Sequence, residues 1–73
     1  MDPPTLRSRL KDAESLLERL EENIAFQIQM LAKLDEGGHD VRAAGMLLRR
    51  LEARRKQAVA ERDRLFKELA NRS

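Results

Sequence analysis

Apolar residues recur along the chain at alternating intervals of three and four, the spacing of a helix that packs along one face. In the first half these positions are Leu6, Leu10, Ala13, Leu17, Leu20, Ile24, Gln27, Leu31 and Leu34. In the second half they are Val41, Ala44, Leu48, Leu51, Arg55, Ala58, Arg62, Leu65 and Leu69. We call both sets the seam positions. They predict two amphipathic helices whose packing faces are interrupted by one glutamine and two arginines.

Proline and glycine mark where these helices begin and end. Proline occurs only at positions 3 and 4, and glycine only at positions 37, 38 and 45. Asp2 is a suitable N-cap, Gly37 a left-handed stop, and Asp40 an N-cap for a helix that starts at Val41. We therefore predict a single domain over residues 1–73, with helices over about 3–36 and 40–71 and a turn at 37–39.

Two connections between the helices are conceivable. A continuous helix in a parallel dimer would place Gly38, Gly45 and Glu52 on the packing face. A chain that folds back at the glycine pair instead aligns the two sets of seam positions along their whole length, from Leu34 opposite Val41 to Leu6 opposite Leu69. The predicted fold class is therefore all-α, an antiparallel two-helix coiled-coil hairpin.

The composition restricts the chemistry available to the chain. Its 73 residues include no cysteine, which excludes disulfides, thiolate metal sites and cysteine nucleophiles. No serine lies in a nucleophile elbow, no glycine-rich loop leads to Lys-Ser or Lys-Thr, and no Glu-x-x-His pair is present. We expect no enzymatic activity, no cofactor and no metal site, and we interpret the single histidine, His39, as a residue that closes the turn.

The sequence also bears on location. No apolar run is long enough to cross a bilayer, and the start of the chain lacks the basic flank and apolar core of a secretory signal. The expected location is the cytoplasm, with no membrane partner.

Charge is divided between the helices. Residues 1–36 carry five Lys or Arg against eight Asp or Glu, a net charge of −3, and residues 37–73 carry ten against five, a net charge of +5. This division favours pairing of one helix with the other. In the hairpin register Arg55 lies beside Glu21 and Arg62 beside Glu14, so we predict two polar pairs along the seam.

The basic second helix raises the question of an anionic partner. The residues that would form such a surface are Arg42, Arg49, Arg50, Lys56 and Arg64. Nucleic-acid binding is the alternative function on this ground. The total charge of only +2 and an expected lack of exposed aromatic side chains for base stacking favour protein association instead.

Six apolar residues flank the seam and predict self-association. Leu16, Met30 and Leu47 flank one side of the seam, and Ile28, Val59 and Phe66 flank the other. Flanking positions of a two-stranded coil are usually charged, so apolar residues there are typical of larger bundles. We expect a homodimer that forms a four-helix bundle and buries these residues. If the hairpin is monomeric, the same residues would dock another protein.

The stretch from Glu21 to Leu65 resembles a group of short, uncharacterised bacterial helical-hairpin proteins. The matching residues are Ile24-Ala25, Gln27, Leu31, Leu34, Gly38-His39-Asp40, Ala44, Leu47-Leu48 and Arg62-Asp63-Arg64-Leu65. The resemblance implies a helical hairpin and supplies no activity. Those proteins often carry histidines where this chain has Ala58 and Glu61, so it implies no histidine-based role.

Overall fold

The computed structural model describes residues 2–72, and these form two helices joined by a short turn. Helix α1 spans Pro3–Glu36 and helix α2 spans Arg42–Arg72. Helix α2 runs back along α1, so the described part of the chain measures 55 × 14 × 13 Å. The predicted all-α hairpin is confirmed, and the observed helix bounds differ from the predicted ones by at most two residues.

The first helix begins where its capping sequence predicts. Asp2 has extended backbone angles, and its carboxylate accepts a hydrogen bond from the backbone N–H of Thr5 at 3.3 Å. Pro3 and Pro4 occupy the first two helical positions, where a missing N–H group leaves no intrahelical bond unmade. The hydrogen bond from Thr5 lowers the pKa of Asp2 below its usual value.

The turn reverses the chain through one left-handed glycine. Gly38 has a φ of 75°, whereas Gly37 keeps right-handed helical angles. The backbone N–H of Gly38 donates to Asp35 O at 3.1 Å, and that of His39 donates to Leu34 O at 2.9 Å. These two bonds form a Schellman motif that satisfies the last carbonyls of α1. Helix α1 ends at Glu36, as predicted, but the left-handed residue is Gly38 and not Gly37.

Asp40 starts the second helix. Its carboxylate accepts a hydrogen bond from the backbone N–H of Arg42 at 2.9 Å and also receives the Arg42 guanidinium, with Nη2 2.7 Å from Oδ2. Both contacts favour the ionised carboxylate, so the pKa of Asp40 lies below its usual value of 3.8. Helix α2 then begins at Arg42, one residue after the start at Val41 that the Asp40 cap predicts.

Acid is expected to weaken this second cap. A carboxylate whose pKa is depressed in the folded state stabilises the fold above its unfolded pKa, and this contribution is lost as the pH falls through the folded value. Helicity followed by circular dichroism should therefore decline below about pH 4. Asp40→Asn, which caps without titrating, should show a smaller decline; an identical acid profile for the variant would contradict this account of the cap.

The core lies in the half of the hairpin remote from the turn. One buried cluster joins Leu6, Ala13 and Leu65, and a second joins residues of both helices nearer the middle. The members of the second cluster are Leu17, Leu20, Leu51 and Ala58, with Leu16, Ile24 and Val59 packed against it. Facing residues come from opposite ends of the sequence, as the predicted hairpin register requires.

Every seam position in the described part of the chain is buried or half-buried, with one exception. Gln27 and Arg62 are half-buried, whereas Arg55 is exposed. The long arginine side chain extends to the edge of the seam, where its charged end remains in water. The apolar period therefore identifies the packing face correctly and overstates the burial of Arg55.

Gly45 offers a stabilising substitution. It lies within α2, and a Cβ atom added there would meet only Leu31 Cδ1, at 4.0 Å, an ordinary van der Waals distance. Since glycine inside a helix is less favourable than alanine by about 0.5–1 kcal/mol, Gly45→Ala should raise the free energy of unfolding by about that amount. Gly38→Ala serves as the contrast, because its positive φ should make the same change destabilising; urea denaturation of both variants tests the pair.

No helix within residues 2–72 has the length and apolarity needed to span a membrane.

Candidate interaction surface

Large apolar side chains are exposed mainly near the turn. Of the six exposed ones among the described residues, five lie between residues 26 and 47. They are Phe26, Ile28, Met30, Met46 and Leu47. In the same region every seam residue from Ile24 to Leu48 is only half-buried. This half of the hairpin therefore leaves apolar surface in water, which is a feature of association sites.

The flanking apolar residues lie on two opposite faces of the hairpin. A groove on one side of the seam is lined by Leu16 and Arg54, together with Arg9, Asp12, Gln57 and Glu61. A groove on the other side is lined by Ile28 and Val59, together with Glu21, Glu52, Arg55 and Lys56. Phe66 lines a further groove with Glu14, Glu18 and Arg62. An α-helix has 3.6 residues per turn, so residues seven or fourteen positions apart lie on the same side of it. This spacing assigns the remaining flanking residues, Met30 and Leu47, to the side of Leu16 and Arg54.

We call the face that carries Ile28, Val59 and Phe66 the acid–base face. It is defined by Glu14, Glu18, Glu21 and Ile28 on α1 and by Arg49, Lys56, Val59 and Phe66 on α2. Its carboxylates Glu14, Glu18 and Glu21 lie on α1 and its cations Arg49 and Lys56 on α2, where Glu52 and Asp63 line the same grooves. Ile28 and Phe66 are 52% and 59% exposed. Its surface thus combines two large apolar groups with an acidic edge on α1 and an edge on α2 that is mainly basic between residues 42 and 56.

We call the opposite face the cationic face, defined by Leu16, Arg19, Phe26, Met30 and Lys33 on α1 and by Leu47, Arg50 and Arg54 on α2. Four of these residues carry positive charge, while Asp12 and Glu61 line the groove at its end remote from the turn. Arg19, Phe26, Lys33 and Arg54 have no place among the residues predicted for a site. The interval of seven between Arg19, Phe26 and Lys33, which puts all three on one side of α1, was the signal that could have identified them.

Because the flanking residues lie on two opposite faces, one dimer interface cannot bury all of them. The six residues expected in one interface are Leu16, Ile28, Met30, Leu47, Val59 and Phe66. Leu16 and Val59 are half-buried against the hairpin's own core, and the other four are exposed. A second hairpin stacked on one face leaves the opposite face in water, so a single dimer covers only half of the predicted set.

The two predicted seam pairs differ in outcome. Arg55 Nε lies 3.6 Å from Glu21 Oε1, across the seam, with both side chains about half exposed. Arg62, by contrast, places Nη2 3.2 Å from Oδ1 of Asp63, its neighbour on the same helix. Asp63 is reached without crossing the seam, which explains why the predicted pair with Glu14 is replaced. Glu14 lines the same groove as Arg62 without forming an ion pair with it.

Arg62→Leu is expected to stabilise the hairpin. The arginine occupies a half-buried seam position, and its pair with Asp63 is exposed and worth little. A leucine there would extend the buried cluster of Leu6 and Leu65, and we expect a gain of about 1 kcal/mol in the free energy of unfolding. A lower melting temperature at unchanged oligomeric state would show that the guanidinium has a role beyond this pair.

The basic surface predicted on α2 is partly neutralised and does not form one face. Arg42 pairs with Asp40, and Arg64 lies 2.8 Å from Glu61 and 3.6 Å from Glu68. The contact with Arg64 lowers the pKa of Glu61 below its usual value. The remaining cations separate, with Arg49 and Lys56 beside the acid–base face and Arg50 beside the cationic face.

Two expectations about chemistry can be compared with the geometry. The expected lack of exposed aromatic side chains is wrong, because Phe26 and Phe66 are 57% and 59% exposed. His39 is exposed within the turn, and its backbone N–H contributes to closing it. Among residues 2–72, no group of three or more His, Asp or Glu side chains is placed to hold a metal ion.

No family model, curated protein or solved structure matches the chain.

Proposed function

We propose that this chain is a non-enzymatic helical hairpin that acts through protein association, first of all by forming a homodimer through the acid–base face. The observation that carries the proposal is the exposure of Ile28 and Phe66 beside a core that occupies only the half of the hairpin away from the turn. Burial of such side chains contributes about 1.5–3 kcal/mol each. A second copy would supply the burial that one hairpin of this size lacks.

Charge separation selects the second copy as the occupant of this face. Between residues 14 and 28 this side of α1 carries three glutamates, and between residues 42 and 56 this side of α2 carries three cations against one carboxylate, Glu52. A two-fold axis parallel to the hairpin's length places α1 of each copy over α2 of its partner. Acidic and basic edges then meet twice, and the two turns lie at the same end of a four-helix bundle.

The same symmetry places each residue and its counterpart in the partner at the same height along the axis. Ile28 lies opposite the partner's Ile28 across the axis, and Phe66 lies opposite the partner's Phe66. Gly45, on the helix beside Ile28, leaves space there, because an added Cβ would meet only one side-chain atom within 4 Å. An axis perpendicular to the helices would instead stack α1 on α1 and bring the glutamates together, which is unfavourable.

We further propose, on the residues from Glu21 to Leu65 quoted above, that the chain is akin to the short bacterial helical-hairpin proteins it resembles. The observed hairpin agrees with the fold that the resemblance implies. The relationship adds no activity to the proposal.

Sedimentation equilibrium tests the dimer directly. At micromolar concentration we expect a mass of twice 8.4 kDa, with dissociation on dilution. Ala53→Glu, an exposed substitution on the outer surface of α2, is the control and should leave the mass unchanged. A stable, fully helical monomer at this concentration would overturn the proposal.

Nucleic-acid binding is the second candidate function. It is supported by Arg49, Arg50 and Lys56, which are exposed and form no ion pair with another described residue. Retention on double-stranded DNA that falls steeply with salt, and that is lost in Arg49→Glu/Lys56→Glu, would favour this function. Weak retention that does not depend on these residues would exclude it.

A further inference from the structure

We propose that the cationic face binds an acidic amphipathic helix from another protein. The inference is independent of the homodimer, because the cationic and acid–base faces lie on opposite sides of the hairpin. A dimer formed through one face leaves the other accessible, and a monomer would present it equally.

The apolar component of this face lies near the groove between the helices. Leu16 and Arg54 line that groove together with the buried Leu20, and two carboxylates, Asp12 and Glu61, line its end remote from the turn. Met30 and Leu47, which are 37% and 43% exposed, extend the apolar strip toward the turn. From residue 16 to residue 30 the strip runs about 21 Å at 1.5 Å per residue. This length accommodates the apolar side of a helix of about four turns.

The charged component borders the strip on both helices. Arg19 and Lys33 stand on the outer side of α1, and Arg50 stands on the outer side of α2. These three residues and Arg54 are exposed, and none forms an ion pair with another described residue. A helix seated in the strip would therefore bring its two flanks against cations that have no partner within the hairpin.

The sign of the charge argues against a second copy as the occupant. Residues 16–33 on this side of α1 and residues 43–57 on this side of α2 include no carboxylate. Stacking two such faces would bring eight positive charges together, at an electrostatic cost that the acid–base face avoids. The face thus fits a partner that is acidic where this chain is basic.

The shape favours a helix over a nucleic acid. Single-stranded nucleic acid binds to rows of aromatic side chains, and this face offers one aromatic residue, Phe26, beside three aliphatic side chains. Those aliphatic residues and Arg54 occupy the middle of the face, and the other three cations occupy its edges. An apolar centre with charged borders matches an amphipathic helix with a leucine-rich side and glutamates on both flanks.

The experiment uses an 18-residue synthetic peptide with leucines at helical spacing, glutamates on the flanks and one tryptophan on the apolar side. The hairpin contains no tryptophan or tyrosine, so peptide fluorescence reports binding alone. A scrambled peptide of equal composition removes the amphipathic pattern. Arg50→Glu/Arg54→Glu removes two cations of the face and Met30→Ala/Leu47→Ala removes the strip. Lys67→Glu/Arg72→Glu, at two exposed positions outside both faces, is the charge-matched control.

We expect the amphipathic peptide to bind and the scrambled one to bind at least tenfold more weakly. Arg50→Glu/Arg54→Glu and Met30→Ala/Leu47→Ala should each weaken binding about tenfold or more, and the control variant should change it less than about twofold. The Phe66→Glu variant should still bind the amphipathic peptide, so failure of the homodimer proposal can be distinguished from failure of this one. Far-UV circular dichroism verifies that each variant is helical.

The proposal is overturned by equal binding of the two peptides, by no binding up to about 100 μM peptide, or by equal loss in the control variant. Tighter binding to a single-stranded oligonucleotide than to the peptide would assign the face to nucleic acid. Tighter binding to phosphatidylglycerol vesicles would assign it to an anionic membrane surface. Self-association of the hairpin that is abolished by Leu47→Glu would assign the cationic face to a second copy of the chain.

Discussion

Leu65→Ala is expected to remove a large part of the hairpin's free energy of unfolding. Leu65 and Leu6 are completely buried and form one cluster with Ala13, against which Leu10 and Leu69 pack. Removing a leucine side chain from such a site costs about 2–5 kcal/mol. In a 73-residue chain whose total stability is small, this loss should leave much of the protein unfolded at room temperature.

Leu47→Ala is the matched control for that prediction. It removes the same atoms from a leucine that is 43% exposed, so we expect a loss of less than about 1 kcal/mol. Urea denaturation followed by circular dichroism compares the two variants. Equal losses would contradict the placement of the core in the half of the hairpin remote from the turn.

Phe66→Glu is expected to convert the dimer into a monomer. Phe66 is 59% exposed in the single hairpin and lines a groove with Glu14 and Glu18. A glutamate in its place would add charge to this acidic edge and would lose the apolar contact at the two-fold axis. Because a buried carboxylate without a partner is strongly disfavoured, the dissociation constant should rise at least a hundredfold.

Leu47→Glu is the control for the face that dimerises. It places the same charge at an exposed apolar position on the opposite side of the hairpin, so the mass should remain that of the dimer. Light scattering at micromolar concentration distinguishes the two variants. A dimer that survives Phe66→Glu but dissociates with Leu47→Glu would show that the cationic face, and not the acid–base face, is the interface.

Much of the fold follows from local features of the sequence. The alternating spacing of three and four identifies the packing face, because only that interval keeps side chains on one side of a helix. The caps at Asp2 and Asp40 and the glycine pair then determine where the helices start and reverse. These features act within a few residues, so they can be read without knowledge of the whole structure.

The details that the sequence did not predict are those where two nearby residues could have the same role. Gly37 and Gly38 both tolerate a left-handed conformation, and the Schellman hydrogen bonds select the second. Arg62 has acidic groups on both helices within its range, and the adjacent Asp63 is the one it contacts.

The composition of the two faces was missed for a different reason. The sequence assigned the flanking apolar residues to the correct sides of the seam. In the hairpin these two sides are opposite faces, so they cannot form one interface. The charges that accompany them become visible only when both helices are placed together. Arg19, Lys33 and Arg54 belong to that group.

The distance between the two turns tests the central claim most directly. The chain has no cysteine, so Glu36→Cys gives one exposed spin-labelling site per chain at the end of α1. In the dimer proposed here both labels lie at the same end of the bundle, and stacking of helices at 8–10 Å predicts a label separation of about 20–30 Å by double electron–electron resonance. A separation close to the 55 Å length of the hairpin, or no dipolar coupling at all, would contradict the account.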